Sequence, residues 1–242
     1  WPVEMYRQPQ VRSGVEEGRR FVRRGQNRYD IIQASAVCGR MAPAAGAFTL
    51  SENNLYTLEG FTDYWDHLAD DGILTISRFI FERETLRLVS LGLALLQEQG
   101  VADPAAHIAG VRERGLANFM LKKTPFSAEE LTNLRDLMVD MEFQEVYLPY
   151  RRDGNGAFHE LISANGSAEF HADFPFDIRP VTADRPFFYY MLKPAEFINL
   201  LSFPDQRQFE VRLIVSLRNL PVVVGVVVSA FLILPLLVWP RG

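Results

Sequence analysis

The chain has 242 residues, 48% of them hydrophobic, and a formal net charge of -5. That length carries one or two domains with a core of their own, and the composition excludes a collagen-like or disordered chain. Cys38 is the single cysteine, so no disulfide forms within the chain, and the mild acidity argues against a general nucleic-acid binder.

Charge is uneven. Residues 1–40 hold eight arginines against four acids, a surplus of +4, which leaves -9 for the remainder. The sequence starts at Trp1 and shows no charged segment followed by an apolar core, hence no signal peptide. It reads as an internal or processed portion of a longer protein.

In chain order, Val11–Val15 alternates weakly and suggests a strand end. Gly18–Arg28 sets Phe21 and Val22 among arginines and predicts a short helix with a basic face. Tyr29–Ser35 is β-rich and predicts a buried parallel strand. Gly39–Gly46 is a loop of small residues. Leu55–Leu68 repeats Leu58, Phe61, Trp65 and Leu68 at helical spacing, and Asp70-Asp71-Gly72 reads as a stop and turn. Ile73–Ser77 predicts a second buried strand. Glu82–Gln99 is a long helix with Leu86, Val89, Leu93 and Leu96 on one face, closed by Gly100.

Two short strands follow, near His107–Arg112 and Leu116–Lys122. Ser127-Ala128-Glu129-Glu130 is a capping box that opens a helix with Leu131, Leu134, Met138 and Met141 inward. Asp153–Gly156 and Asn165-Gly166 mark turns in a looser C-terminal part. Alternating strands and helices followed by a strand pair indicate an α/β doubly wound sheet.

Leu220–Trp239 contains 20 residues without a charge. At 1.5 Å per residue that crosses a hydrocarbon core of about 30 Å. Pro221 stands at its start, Pro235 is of the kind tolerated in membrane helices, and Trp239 suits the interface. Arg207, Arg212 and Arg218 precede it and favour a cytoplasmic N-terminal side. The alternative is a buried core helix, which rarely runs so long without charge.

In open α/β sheets ligands bind beyond the carboxyl ends of the strands. That directs attention to Glu16–Arg19, Gln33–Gly46 and Ser77-Arg78. Four blocks here carry a resemblance: Glu17-Gly18-Arg19-Arg20-Phe21, Tyr29-Asp30-Ile31-Ile32-Gln33, Leu55–Phe61 running through His67-Leu68 to Asp71–Leu74, and Asp184-Arg185-Pro186-Phe187-Phe188. Together they resemble the spermidine-synthase-like branch of the class I S-adenosylmethionine methyltransferase superfamily. The likeness extends to bacterial membrane proteins that fuse such a domain to transmembrane helices.

The resemblance covers roughly residues 11–195. It implies the later strands of a doubly wound, Rossmann-like methyltransferase sheet, followed by a transmembrane α-helix. The divisions it suggests are a transferase-like domain at 1–195, an amphipathic linker at 196–218 and the membrane helix at 219–239. The cofactor implied is S-adenosylmethionine or its decarboxylated form. Its site would draw on Glu17, Gly18, Arg19 and Ser35, with Glu17 accepting the adenine amino group; the other reading of Glu16 and Glu17 is that they offset the neighbouring arginines.

The family's glycine-rich loop and ribose-binding acid have no counterpart here and are expected before Trp1. Cys38 stands where an aspartate orients the amine in aminopropyl transfer, and a thiol with a pKa near ~8.5 replaces a carboxylate poorly. The expectation is therefore a transferase-like domain that is not a competent aminopropyltransferase, its catalytic residues and small-molecule acceptor unassigned, or else a non-catalytic module that senses a nucleoside-like ligand or braces a transporter-like protein. The implied partners are the lipid bilayer and further transmembrane helices of the same protein, with no nucleic acid. The implied location is the bacterial inner membrane, with the domain on the cytoplasmic side. His67, on a helix surface, and His107, His159 and His171 show no metal-ligand spacing.

Overall fold

The computed structural model describes residues 8–11, 14–35, 52–79, 82–151, 154–191 and 193. Cys38, the loop at 39–46 and the uncharged run at 220–239 lie outside them. Among the described residues no helix is long and apolar enough to cross a membrane. The chain divides into two compact units, Trp1–Val37, Glu52–Asp173 and Ile178–Phe188 forming the larger, and Cys38–Ser51, Phe174–Asp177 and Tyr189–Gly242 the smaller. In the smaller unit the Asp177 N–H donates to Met191 O at 2.9 Å, and Lys193 Nζ donates to Phe174 O at 2.6 Å.

The larger unit is an α/β structure built on five strands: β1 (Tyr29–Ser35), β2 (Leu68–Phe79), β3 (Ile108–Glu113), β4 (Leu116–Lys122) and β5 (Gln144–Tyr147). Their order in the sheet is β1-β2-β4-β3-β5. β1 and β2 are parallel and are joined through helix α2 (Leu58–His67), as parallel neighbours must be joined by a crossover. The link from β3 to β4 is only Arg114-Gly115, which forces an antiparallel hairpin. β4 then pairs antiparallel with β2, and β5 antiparallel with β3. The sheet is mixed, with β4 lodged between β2 and β3.

Local chemistry sets the helices. α1 (Gly18–Arg24) is capped by Glu17, whose carboxylate accepts from the Arg19 and Arg20 N–H groups. Thr57 caps α2 by accepting from the Gly60 N–H at 3.1 Å. α3 (Glu82–Glu98) is leucine-rich and ends before Gly100, whose φ of 70° suits glycine. α4 (Ala128–Asp140) opens with the expected Ser127–Glu130 capping box.

One sheet face buries Leu74, Ile76, Ile108, Phe119 and Leu121. Phe61 of α2 reaches Phe119 at 6.2 Å between ring centres, and Gly92 lets α3 approach the same ring. On the other face Ala109 and Val111 pack with Leu131 and Met138 of α4 and with Leu148.

Several expectations need correction. Residues 14–17 are not a strand, and Val15 is fully exposed. Among the described residues β1 lies at the edge of the sheet rather than buried within it, with Ile31 61% exposed. Asp70-Asp71-Gly72 does not end the segment. The pairing jumps from Tyr29↔Leu68 to Ile31↔Ile73, so Ala69–Gly72 bulge out within β2. Gly72 is needed there because a Cβ would lie 2.8 Å from the Tyr29 carbonyl. Met141 is exposed, not inward, because α4 ends one residue before it. β5 follows α4 where no strand was expected, and the looser C-terminal part beyond it contains two further helices, α5 (Ala157–Ser163) and α6 (Ala168–Asp173).

Candidate functional site

Three of the sequence blocks that carry the resemblance touch the fourth, Leu55–Leu74, which contains α2: Arg19 and Phe188 reach Asp63 and Tyr56, and Tyr29–Gln33 pairs with β2. From α1, Arg19 Nε donates to Asp63 Oδ2 at 2.5 Å, a pair largely shielded from solvent. Just before β1, Arg28 Nη1 donates to Asp66 O at 3.2 Å and Leu68 O at 3.1 Å, the carbonyl end of α2. Lys123 donates to Trp65 O and Leu68 O at the same end, where cations complement the helix dipole.

The block at 184–188 and the residues before it hold the other end. The Leu58 N–H donates to Val181 O at 2.9 Å, the Asn53 N–H to Pro186 O at 2.7 Å, and the Ala183 N–H to Glu59 Oε2 at 2.8 Å. Phe188 is buried against Tyr56, ring centres 4.8 Å apart, and Arg87 Nη1 donates to Phe188 O at 2.5 Å.

Each residue expected at a cofactor site has a defined place. Glu17 is exposed and accepts from Arg19 N at 3.0 Å through Oε1 and from Arg20 N at 2.8 Å through Oε2. A carboxylate has about four lone-pair positions, so one on each oxygen stays open to a further donor such as an aromatic amine. Gly18 is the first residue of α1, beside Leu55. The Arg19 side chain faces α2 and is occupied by Asp63. Ser35 closes β1, and its hydroxyl accepts from Gln33 Nε2 at 2.7 Å, on its own strand and not from α1.

Opposite Ser35 in the parallel register stands Ser77. Asn118 of β4 donates from Nδ2 to Ser77 Oγ at 2.9 Å and accepts from Thr75 Oγ1 at 2.9 Å. The carboxyl ends of β1 and β2 thus present hydroxyls and amides, groups that recognise a ligand by hydrogen bonds but accept no proton at neutral pH. Arg78, next along β2, is turned inward: Nε and Nη2 donate to Glu84 Oε2 at 3.0 and 2.8 Å, and its guanidinium lies 5.5 Å from the Tyr56 ring centre.

Sequence reasoning missed Asp63, Asn54 and Tyr64, which α2 and the 3₁₀ turn before it bring toward α1. Burial, reinforced by the negative charge of Glu17, raises the Tyr64 hydroxyl far above the ordinary phenol range, so it serves as a donor, to Leu55 O at 3.1 Å. Helical spacing showed which residues of α2 face inward, but not that Asp63 meets a residue 44 positions earlier.

His67 is not a free surface group. It is half-buried and held at both ring nitrogens. His107 is buried, its Nδ1 2.9 Å from Lys122 O, and His159 packs on Tyr147. Among the described residues no group of three or more His, Cys, Asp or Glu is placed to hold a metal ion. No protein-family model matches the chain, and no curated protein matches it.

Proposed function

We propose that the chain carries a spermidine-synthase-like, S-adenosylmethionine-type transferase domain of a bacterial inner-membrane protein, facing the cytoplasm. On this reading the described sheet corresponds to the later strands of a doubly wound Rossmann-like domain, and Leu220–Trp239 is its membrane helix. The observation that carries the reading is that three of the sequence blocks contact the fourth, Leu55–Leu74, across a span of some 170 positions.

The donor set suits the adenine end of S-adenosylmethionine or its decarboxylated form. Glu17 is solvent-accessible with open lone pairs, and Gly18 beside it leaves its own backbone approachable. The cofactor, when bound, supplies the transferable methyl or aminopropyl group. The residues of this chain bind and orient it. The hydroxyl and amide character of Gln33, Ser35, Ser77 and Asn118 favours a second reading, in which the domain senses a nucleoside-like ligand without turnover.

Calorimetry of the full-length protein in detergent, with each form of the cofactor, tests the first reading. Glu17→Ser keeps a side-chain acceptor for the α1 cap but removes the carboxylate. A hydrogen bond to a charged group contributes about 1.5–3 kcal/mol, so affinity should fall roughly ten- to a hundredfold. Absence of binding by the unsubstituted full-length protein overturns the cofactor assignment. Equal affinity of the two proteins leaves Glu17 as a helix cap only. Product formation from decarboxylated cofactor and putrescine would contradict the inference drawn from Cys38.

A further inference from the structure

His67 closes α2, and its ring touches two backbone carbonyls: Nδ1 lies 2.7 Å from Asp63 O, one turn back on the same helix, and Nε2 lies 2.9 Å from Gly25 O, at the end of α1. A carbonyl oxygen only accepts, and a neutral imidazole has one N–H. Both contacts are hydrogen bonds only when the ring carries two protons. With one proton, either the Gly25 link is lost or a lone pair on Nδ1 faces the Asp63 oxygen at 2.7 Å, and the ring has to turn.

Groups of both signs face the ring. The carbonyl end of α2 and the carboxylates of Asp63 and Asp66 favour the cationic ring. Against it stand Arg28, which reaches Asp66 O and Leu68 O, and Lys123 beyond β4, which reaches Trp65 O and Leu68 O. Arg23 and Arg24 occupy the last turn of α1, Asp63 is already shared with Arg19, and the Tyr29 hydroxyl of β1 lies near Gly25.

We propose that His67 is a proton-dependent clasp between α1 and α2. The doubly protonated ring ties the end of α1 to the end of α2, and loss of one proton loosens α1, the helix that begins at Glu17 and Gly18. The clasp stands on geometry alone; its effect on a ligand at Glu17 rests on the proposed function.

Amide hydrogen exchange of the full chain in detergent, corrected for the intrinsic pH dependence of exchange, reads the clasp directly. From roughly pH 5.5 to 8, the range in which histidine titrates, protection across residues 18–28 should fall about three- to tenfold. The β3–β4 hairpin should keep its protection. In His67→Gln, which has one fixed amide donor group and no titration, the α1 profile should be flat. The proposal is overturned if the unsubstituted chain shows no such fall, or if His67→Gln shows the same one. Should the variant lose the hairpin protection and hence the fold, the Gly25 carbonyl carbon shift of the unsubstituted protein decides: a change that accompanies the loss of α1 protection over the same pH range supports the clasp, and an unchanged shift refutes it. Because neither readout requires a ligand, failure of the cofactor assignment leaves this result standing.

Discussion

The Arg78–Glu84 pair offers the sharpest energetic prediction. Arg78 is 1% exposed and its partner carboxylate sits in an 8% exposed side chain. Both guanidinium hydrogen bonds to Glu84 end on one oxygen, Oε2. Glu84→Gln keeps the shape and an amide oxygen but removes the negative charge that Glu84 sets against the guanidinium. Breaking a buried pair from one side costs about 3–5 kcal/mol, while two well-packed apolar residues often replace such a pair neutrally or better. The amide oxygen still accepts one bond and the Tyr56 ring still lies near the guanidinium, which sets the expectation for Glu84→Gln at the low end, about 2–3 kcal/mol. Arg78→Met combined with Glu84→Leu should return to within about 1 kcal/mol of the unsubstituted chain.

The measurement is a double-mutant cycle on the full chain in detergent, read from the exchange of the slowest amides of β2 and α3. A coupling of about 2 kcal/mol or more between the two sites is expected. If Glu84→Gln costs less than about 0.5 kcal/mol, or the cycle closes additively to that precision, then the pair is not desolvated as its burial requires and the reasoning fails. The test also bears on function. Arg78 follows the carboxyl-end residue Ser77, and an arginine committed to an internal ion pair is not available to a ligand.

Three other perturbations follow from the same geometry. Gly72→Ala sets a Cβ 2.8 Å from Tyr29 O and 3.0 Å from Ala69 N, both backbone, so it should cost about 1–3 kcal/mol and speed exchange in β1 before β4. Glu17→Ala removes the acceptor for two α1 N–H groups and should lower α1 protection by about 0.5–1 kcal/mol, leaving the sheet unchanged; unaltered exchange in residues 18–24 would exclude the cap. Lys122 donates to Asp71, Glu130 and Thr124. The Lys122 and Thr124 hydrogen bonds hold Asp71 below the usual carboxylate range; burial pulls Glu130 upward, but the Ser127 N–H and Lys122 outweigh it and bring it lower too. Burial pulls Lys122 down, but its carboxylates outweigh that and raise it. Depressed carboxylates stabilise the fold above their unfolded pKa, and that part is lost as pH falls below about 4; the raised lysine stabilises it below its unfolded pKa, and that part is lost above about pH 10. Thermal midpoints of the unsubstituted chain should drop at both ends, and Lys122→Gln should flatten both arms. Parallel curves for the two proteins would remove Lys122 from the account.

What the sequence revealed, and what it hid, follows from the range of each signal. Helical period and capping chemistry are local, so α2, α3 and α4 were legible, down to the Ser127–Glu130 box. The run at Tyr29–Ser35 identified a strand, but β-rich composition does not separate a central strand from an edge, and Ile31 is largely in water. Asp70-Asp71-Gly72 has the chemistry of a turn and is used as a bulge, because β1 lies alongside and recaptures the chain at Ile73. β5 is four residues long, and α5 starts after Gly156 at φ 110° with no side-chain cap, so neither announces itself. At the candidate site the sequence singled out Glu17 and Gly18 but could not reveal their neighbours, since the Arg19–Asp63 pair and the His67–Gly25 link arise only when distant segments fold together.

The role of α2 joins these points. Its start is held by the strap at 181–188 and its end by Arg28, Lys123 and His67, while Arg19 fixes α1 to its side through Asp63. Any ligand at Glu17 would therefore meet a helix whose position depends on residues more than 150 places later in the chain. The Asp184–Phe188 block, far in sequence from Glu17 and Ser35, contributes by support: Phe188 packs on Tyr56, Tyr56 sits in the turn that leads into α2, and α2 carries Asp63 to Arg19. That chain of packed groups ties the late block to α1 without requiring it to touch a ligand.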